Sequence, residues 1–291
     1  IYANGTKDEP IIFTADEDNA KSGHWGGIII NGKAPISGDK EDKSNTALAE
    51  INNKYPYGGN NAADNSGVMT YVSICYAGAR STQDIEHNGL TLNGVGNGTT
   101  IENIYVLESA DDAIEFFGGT VNVKNLLAVN PDDDMFDFTQ GYCGTLNNCY
   151  GIWESDYTST EADPRGIEAD GNFDGLYPNH LRQSDFVVDG MTIVNNAANT
   201  TDNVDRMQDV IKIRRGAKAT IKNALVKGTG GAIDLVDMND GKGAGNAAST
   251  ISITNSLQLT GKKLNGEAVL NEAGSNTGAD TSVFGWTKYN F

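Results

Sequence analysis

The amino-acid sequence predicts an all-β protein that folds as a parallel β-helix, a solenoid in which each coil of the chain stacks on the previous one. Three observations lead to this fold class. Segments recur with a period of 22 residues, each repeat consists of short runs of alternating apolar and polar residues, and 35 Gly and 32 Asn stand against 6 Pro. Repeats of this length without helical segments are typical of β-solenoids, and tight turns need Gly and Asn. We expect the 291 residues to form a single domain of about eight coils.

The repeat is clearest in the middle of the chain. Residues 111–116 (DDAIEF) return as residues 133–138 (DDMFDF), and residues 100–104 (TIENI) return as residues 122–126 (NVKNL), in both cases 22 positions later. The alternation indicates short strands, because successive side chains of a strand point to opposite faces. We expect the apolar member of each neighbouring pair inside the solenoid and the polar member outside. Such pairs are Ile114/Glu115, Phe136/Asp137 and Ile211/Lys212.

Four stretches interrupt the period and are predicted to be surface loops. They cover residues 37–66, 154–164, 170–183 and 196–208. Loops of this length carry function more often than regular coils do. The first residues are already strand-like, and an uncovered first coil would expose a strand edge. We therefore expect that N-terminal coils or a cap precede Ile1 in the complete protein.

The charge balance argues against several classes of partner. The chain carries 21 basic and 39 acidic residues, a net charge of −18, which repels phosphate backbones and anionic lipid surfaces. We therefore expect no nucleic-acid partner. No run approaches the roughly 18 apolar residues of a spanning helix, so we expect no transmembrane segment. Cys75, Cys143 and Cys149 lack zinc-site spacing, and a disulfide between Cys143 and Cys149 stays open.

Several segments carry a family resemblance. They are WGGIIINGKAPI at residues 25–36, NGLTLNGVG at 88–96, ADDAIEFFGG at 110–119 and, near the start, GT at 5–6 followed by PIIFTA at 10–15. In these segments the chain resembles secreted β-helix surface proteins of Bacteroidetes, many of them lipoproteins without a settled activity. The resemblance implies a right-handed, single-stranded parallel β-helix of the pectin-lyase-like type. It also implies an extracellular or outer-membrane-surface location in a bacterium.

The strongest acidic feature is a pair of aspartates that the repeat duplicates. Asp111 and Asp112 return one coil later as Asp133 and Asp134. Stacked coils place equivalent residues about 4.8 Å apart, where like charges repel unless something offsets them. One hypothesis is a calcium site, because hard cations take several carboxylate oxygens. The alternative is that these aspartates mark coil corners and hydrogen bond to their own turns.

A second calcium candidate lies in the third predicted loop. Asp170, Asn172 and Asp174, followed by Gly175, match the D-x-N-x-D-G opening of a calcium-binding loop. In such a loop, alternate oxygen ligands converge on one ion. The match is incomplete, because Leu181 holds the position of the usual bidentate glutamate. The alternative is an ordinary turn rich in Asp and Asn.

The sequence matches only in part the catalytic patterns of two enzyme classes that use β-helix scaffolds. For a glycoside hydrolase, the candidate catalytic residues are Asp111, Asp112 and Asp174, acting as general acid and as base for an attacking water. The order of these segments differs from the polygalacturonase pattern that they resemble, and the His-Gly of that pattern is missing. A polysaccharide lyase needs a basic residue to abstract a proton. Residues 212–215 hold the compact basic cluster, and we expect Lys212 to pair with acidic residues of neighbouring coils instead.

Aromatic residues near the loops give a binding hypothesis. Trp153, Tyr157 and Tyr177 lie in or beside the loops at residues 154–164 and 170–183. Sugar rings stack on exposed aromatic faces, so these side chains predict a glycan groove. The alternative is that they are part of the core.

These patterns favour a secreted or cell-surface module that binds a ligand or supports a surface structure, with calcium as a stabilising cofactor and a polysaccharide or surface glycan as partner. One alternative is an enzyme, either a lyase or a hydrolase, that acts on an acidic polysaccharide. Another is an architectural spacer or adhesin region that binds a protein partner. An enzyme needs a polar constellation in a groove and a glycan binder needs exposed aromatics, whereas a spacer needs neither.

Overall fold

The computed structural model describes residues 1–40, 44–80, 87–198 and 207–291. In these residues the regular elements are β-strands, apart from two 3₁₀ segments at Phe173–Gly175 and Thr281–Thr287. The strands are β1 (Tyr2–Asn4), β2 (Ile11–Phe13), β3 (Ile28–Asn31), β4 (Thr46–Ala49), β5 (Asn52–Gly58), β6 (Val68–Cys75), β7 (Leu90–Asn93), β8 (Thr100–Leu107), β9 (Ile114–Phe117), β10 (Val123–Val129), β11 (Phe136–Thr139), β12 (Thr145–Trp153), β13 (Ile167–Asp170), β14 (Asp185–Asn195), β15 (Met207–Arg214), β16 (Lys218–Lys227), β17 (Gly231–Asp237), β18 (Thr250–Asn255), β19 (Gln258–Leu259) and β20 (Val269–Glu272).

Two parallel sheets form the body of the molecule. Sheet A has the order β1-β6-β8-β10-β12-β14-β16-β18-β20, with β2 also paired to β6, and sheet B has the order β19-β17-β15-β13-β11-β9-β7-β3. From β6 to β20 the chain alternates between the two sheets, so each coil contributes one strand to each. This arrangement confirms the predicted parallel β-helix. Sheet B contains eight described strands, in agreement with the predicted number of coils.

Sheet A bends where a residue with positive φ interrupts the long strands. Asn103, Asn125 and Asn148 have φ of 57°, a left-handed conformation that Asn tolerates better than most residues. Their side chains form a ladder, since the Asn125 Nδ2 donates to Asn103 Oδ1 and the Asn148 Nδ2 donates to Asn125 Oδ1, both at 2.9 Å. The repeated Asn of the TIENI and NVKNL segments therefore marks a bend inside sheet A.

Apolar side chains from both sheets fill the interior. On sheet B the inward positions predicted from the alternation, Ile114, Phe136 and Ile211, are fully buried. Phe138 lies in an aromatic stack, with its ring centroid 5.1 Å from that of Phe116 and 4.2 Å from that of Phe186. The partners of the inward positions point outward and line up across the strands, so the polar row of sheet B is a consequence of the same alternation.

The C-terminal segment covers part of the outer face of sheet A. Tyr105, Leu127 and Tyr150 are apolar residues on that face, and they pack with Phe284 and Trp286 of the second 3₁₀ segment. None of the described helical segments is long and apolar enough to cross a membrane.

The predicted loops have different outcomes. Residues 37–66 contain an antiparallel hairpin, β4 with β5, where the prediction had a loop without strands. The hairpin forms because Ala47, Ala49 and Tyr57 are buried against Ile36. Residues 154–164 lie outside the strands, and residues 170–183 contain the first 3₁₀ segment. In the fourth loop, residues 199–206 lie outside the described residues, and β15 begins at Met207.

Candidate functional site

A cleft of about 460 Å³ lies on the outer face of sheet B. Its floor consists of outward side chains from β7, β9, β11 and β13. One wall is the β4–β5 hairpin, which contributes Leu48 and Tyr57, and the other includes Phe173 and Asp174 of the first 3₁₀ segment. The Tyr57 hydroxyl donates a hydrogen bond of 2.6 Å to Gln140 Oε1, which ties the hairpin to the residue after β11. Two of the four predicted loops therefore form the walls.

The floor of the cleft is a row of side chains in register. Thr91 pairs with Glu115, Glu115 with Asp137, and Asp137 with Glu168. The row continues beyond the cleft as Lys212 and Asp237. Equivalent residues of parallel strands are about 4.8 Å apart, so three carboxylates follow one another at that spacing.

Carboxylates dominate the lining of the cleft. Seven acidic residues contribute to it, and among the described residues no Lys, Arg or His does. The seven are Asp39, Glu50, Glu115, Asp137, Glu168, Asp170 and Asp174. The remaining polar groups include buried amides and hydroxyls, and the aromatic rings of Phe117 and Phe173 border the same space.

Arginines compensate the carboxylates at one end of the cleft. Glu168 accepts hydrogen bonds from Arg165 and Arg214. Asp170 accepts bonds of 2.6 Å from both Arg214 and Arg215. These contacts keep the guanidinium groups charged, and the nearby carboxylates raise the pKa of Arg214 further although burial opposes this. The acidic charge at this end is therefore largely neutralised.

The opposite, acidic end consists of Glu115 and Asp137, which line the cleft, and of Asp112 and Asp134, which lie outside the lining with carboxylate oxygens within 4.8 Å of those of Asp137. Among the described residues no Lys or Arg forms an ion pair with these four, since Arg165 and Arg214 pair with Glu168. Burial raises the pKa of Asp112, Glu115, Asp134 and Asp137 well above the usual range, and the negative charges of neighbouring carboxylates raise it further. Asn88 Nδ2 donates a 2.5 Å hydrogen bond to Glu115 Oε2, which works in the opposite direction. This end of the cleft therefore strongly favours any group that brings positive charge.

Asp137 belongs to two trios of carboxylates, one within this end and one that reaches Glu168 at the arginine-compensated end. The oxygens of Asp112, Glu115 and Asp137 lie within 4.8 Å of one another, and so do those of Asp134, Asp137 and Glu168. A calcium ion bound at about 2.4 Å from each ligand would bring its oxygens within that separation. Asp137 is therefore the centre of the acidic cluster.

Three buried acceptor atoms at this end lack a hydrogen-bond partner among the described residues. They are Asn88 Oδ1, Asp134 Oδ1 and Asp137 Oδ1. Asn88 is 3% exposed and Asp134 is 2% exposed. Buried polar atoms are normally satisfied, so these atoms point to a missing donor or cation.

The structure brings three of the four aspartates of the first predicted acidic feature together. The structure brings Asp111, Asp112 and Asp133 within 4.8 Å of one another, while Asp134 joins Asp137 and Glu168. Asp112 links two coils rather than its own turn, because its Oδ1 accepts a 2.9 Å hydrogen bond from the backbone N–H of Asp134 in the next coil. The calcium hypothesis for these aspartates therefore stays a prediction.

The carboxylates of the second calcium candidate are paired with cationic side chains. Asp170 is paired with Arg214 and Arg215, and Asp174 with Arg215 and Lys242. Asn172 is fully buried and bonds to the loop itself, donating to Gln183 Oε1 and accepting from the N–H of Tyr177. The Asp-x-Asn-x-Asp-Gly segment thus follows the alternative of a turn, because guanidinium and ammonium groups already neutralise its carboxylates.

The aromatic residues predicted to bind a ligand lie elsewhere. Trp153 is 1% exposed and donates its indole N–H to Pro131 O, so it belongs to the core and cannot stack on a sugar. The Tyr157 hydroxyl donates to Asp132 Oδ1. The Tyr177 hydroxyl donates to Asp39 O, and its ring stacks on Phe173 at 6.3 Å. Tyr177 therefore packs against Phe173 without lining the cleft, and the aromatic side chains that line it are Tyr57, Phe117 and Phe173.

Several cleft residues were not singled out from the sequence. Glu115 and Asp137 were predicted to stack on the outside because of their spacing of 22 residues, and the structure confirms this row, but they were not predicted to line a cleft. Glu168 follows Asp137 by 31 residues, because the loop at 154–164 lies between them and hides the equivalence. Asn88 and the hairpin carry no periodic signal that connects them with sheet B.

The disulfide left open by the sequence is not formed, since all three cysteines are free thiols. The expectation for the basic cluster is met, because the Lys212 Nζ lies 2.5 Å from Asp237 Oδ2.

Comparison with known proteins supplies one finding. A family model described as a pectate-lyase like beta helix domain matches residues 1–288. No curated protein and no solved structure matches the chain.

Proposed function

Because the chain belongs to the pectate-lyase-like beta helix family, we propose that it is an extracellular module that binds a carbohydrate in the cleft on sheet B. The observation that carries the proposal is the cleft itself. Its volume, about 460 Å³, is in the range of ligand sites, and it combines aromatic faces with convergent polar groups. The resemblance of residues 25–36 and 88–96 to secreted surface proteins supports the extracellular location.

Binding without cleavage fits the side chains better than catalysis. A lyase needs a basic group that can take a proton, and among the described residues the cleft lining includes no Lys, Arg or His. Arg165 and Arg214 lie next to the floor, but both are ion-paired and hold their protons. For hydrolysis, Asp174 is a poor candidate, since it is exposed and already paired with Arg215 and Lys242.

The first prediction concerns polysaccharide binding. We expect the protein to be retained on an immobilised polysaccharide without releasing oligosaccharides, and Phe173→Ala to weaken retention about fivefold or more, because loss of an aromatic contact costs about 1 kcal/mol. Affinity electrophoresis on acidic, neutral and basic polymers measures retention, and mass spectrometry of the supernatant measures release.

Tyr2→Ala is the matched control, since Tyr2 is 81% exposed and lies on sheet A, away from the cleft. Release of oligosaccharides would overturn the binding-only proposal. Equal retention of the Phe173 variant and the wild type would move the ligand to another surface.

We further propose that the acidic end of the cleft binds a divalent cation such as Ca²⁺, with Asp134 and Asp137 as ligands and Glu168 beside them. The supporting observation is that Asp134 Oδ1 and Asp137 Oδ1 are buried acceptors without a partner among the described residues. Carboxylate oxygens are the ligands that Ca²⁺ prefers. The cation would offset the repulsion between carboxylates that stand in register.

We expect Ca²⁺ to stabilise the metal-depleted protein by about 2.7 kcal/mol at a concentration 100 times the Kd. Thermal unfolding with chelator and with added Ca²⁺ measures the effect. Asp134→Asn should abolish most of it, whereas Glu267→Gln, which removes an exposed carboxylate outside the cleft lining, should leave it unchanged. An unfolding temperature that does not respond to Ca²⁺ in the wild type would contradict this proposal.

A further inference from the structure

The polar groups at the acidic end of the cleft are acceptors that require donors. Asn88 Oδ1 and Asp137 Oδ1 are both buried, both belong to residues that line the cleft, and neither has a hydrogen-bond partner among the described residues. Glu115 is next to them and receives one bond, from Asn88 Nδ2. The carboxylates alone would be only an acidic cluster, but the unpaired amide oxygen of Asn88 independently indicates that a donor is missing.

Charge distinguishes the possible donors. A sugar hydroxyl donates one hydrogen bond but leaves the carboxylate charges uncompensated. A protonated amine has three donors and no acceptor, and its bonds to carboxylates are charge-assisted. A uronate would add a negative charge to a cleft whose lining includes seven acidic residues and no basic one among the described residues, and like charges at this range repel.

We infer that the ligand of the sheet B cleft carries a protonated amine, which lies between Asn88, Glu115 and Asp137, and that the cleft selects an amino-sugar polymer over neutral and uronate polymers. This inference rests on the proposed carbohydrate binding and names its substrate class. The sugar ring that follows the amine extends toward the arginine-compensated end, where Phe173 offers its face. Ca²⁺ and the amine both use the carboxylate of Asp137, so they compete.

The test compares three hexasaccharides by isothermal titration calorimetry in a buffer with chelator. They are a β-1,4-linked glucosamine hexamer, its N-acetylated counterpart and a galacturonate hexamer. We expect the glucosamine hexamer to bind at least tenfold more tightly than the N-acetylated one, a difference of about 1.4 kcal/mol. The double variant Glu115→Gln/Asp137→Asn should remove this preference, and added Ca²⁺ should weaken glucosamine binding.

A control separates the cleft from the general attraction of a polycation to a protein with net charge −18. The double variant Asp156→Asn/Glu267→Gln also removes two carboxylates, both exposed and outside the cleft lining, and it should keep the full preference. If it loses the preference as the cleft variant does, the attraction is nonspecific and the inference is wrong.

The remaining outcomes separate the inference from the proposed function. Equal binding of the two glucosamine-based hexamers, or tighter binding of the galacturonate hexamer, would overturn the amine inference while the carbohydrate-binding function stands. Failure of all three to bind, together with no retention on any polymer, would overturn both.

Discussion

Phe138→Ala should lower the free energy of unfolding by about 3–5 kcal/mol, the usual cost of removing a large aromatic side chain from a packed core. Phe138 is fully buried and its ring contacts Phe116 and Phe186 in one stack, with centroid distances of 5.1 and 4.2 Å. The stack joins sheet B to sheet A, because Phe138 lies on β11 and Phe186 on β14. A cavity at this position therefore weakens the contact between the sheets.

Urea denaturation followed by circular dichroism measures this loss. Phe138→Leu should recover a large part of the stability, since it restores most of the lost volume. Leu181→Ala is the surface control, because Leu181 is 88% exposed and such changes usually stay within about 0.5 kcal/mol. If the alanine variants at positions 138 and 181 lose the same stability, the aromatic stack does not hold the sheets together. Phe138→Ala should also weaken ligand binding, because the neighbouring residue Asp137 lines the cleft from the opposite face of β11.

The second large effect is a dependence of stability on pH. In metal-depleted protein we expect the free energy of unfolding to fall as the pH rises from about 4, where carboxyl groups of the unfolded chain lose their protons, toward neutrality. The reason is that burial and neighbouring carboxylates raise the pKa of Glu115 and Asp137 in the folded state. Between the unfolded and the folded pKa the folded state binds more protons, so stability decreases with rising pH.

Each unit by which folding raises a pKa costs about 1.4 kcal/mol once the pH exceeds both values. Burial raises the pKa of Asp209 to about 6, which acts in the same direction. Glu115→Gln/Asp137→Asn removes two of the titrating groups, so the double variant should be more stable than the wild type at neutral pH by at least about 1.4 kcal/mol and should show a flatter pH profile. Urea denaturation in chelator at several pH values measures both quantities.

Glu267→Gln changes one exposed charge and should not alter the slope of the free energy of unfolding against pH. A wild-type stability that increases with pH over the same interval would mean that the folded state stabilises the charged carboxylates, and the donors that do so would then have to lie within the cleft. Added Ca²⁺ should reduce the decrease at neutral pH, because a cation stabilises the charged form of Asp137, which belongs to both groups.

The sequence by itself determined the coil and its two faces. A period of 22 residues with strict alternation requires Ile114 and Phe136 to be inside if Glu115 and Asp137 are outside, since a strand has a side-chain period of two. It also determined that acidic residues recur in the same position of neighbouring coils. It did not reveal which of those carboxylates would form an ion pair with an arginine.

Only the tertiary structure decided that question, because the answer depends on contacts between residues far apart in the chain. Asp170 and Asp174 have the sequence pattern of a calcium loop, yet Arg215, about 40 positions later, neutralises both. Trp153 looked like a binding residue beside a loop, but the coil turns its side chain inward. Glu115 and Asp137 lie on the floor of a cleft because the β4–β5 hairpin, more than 50 residues earlier in the chain, folds against Ile36 and forms a wall beside them. Periodicity describes what neighbouring coils share, whereas the cleft is built by the hairpin and loop that each occur once, and their positions follow from packing that no local pattern encodes.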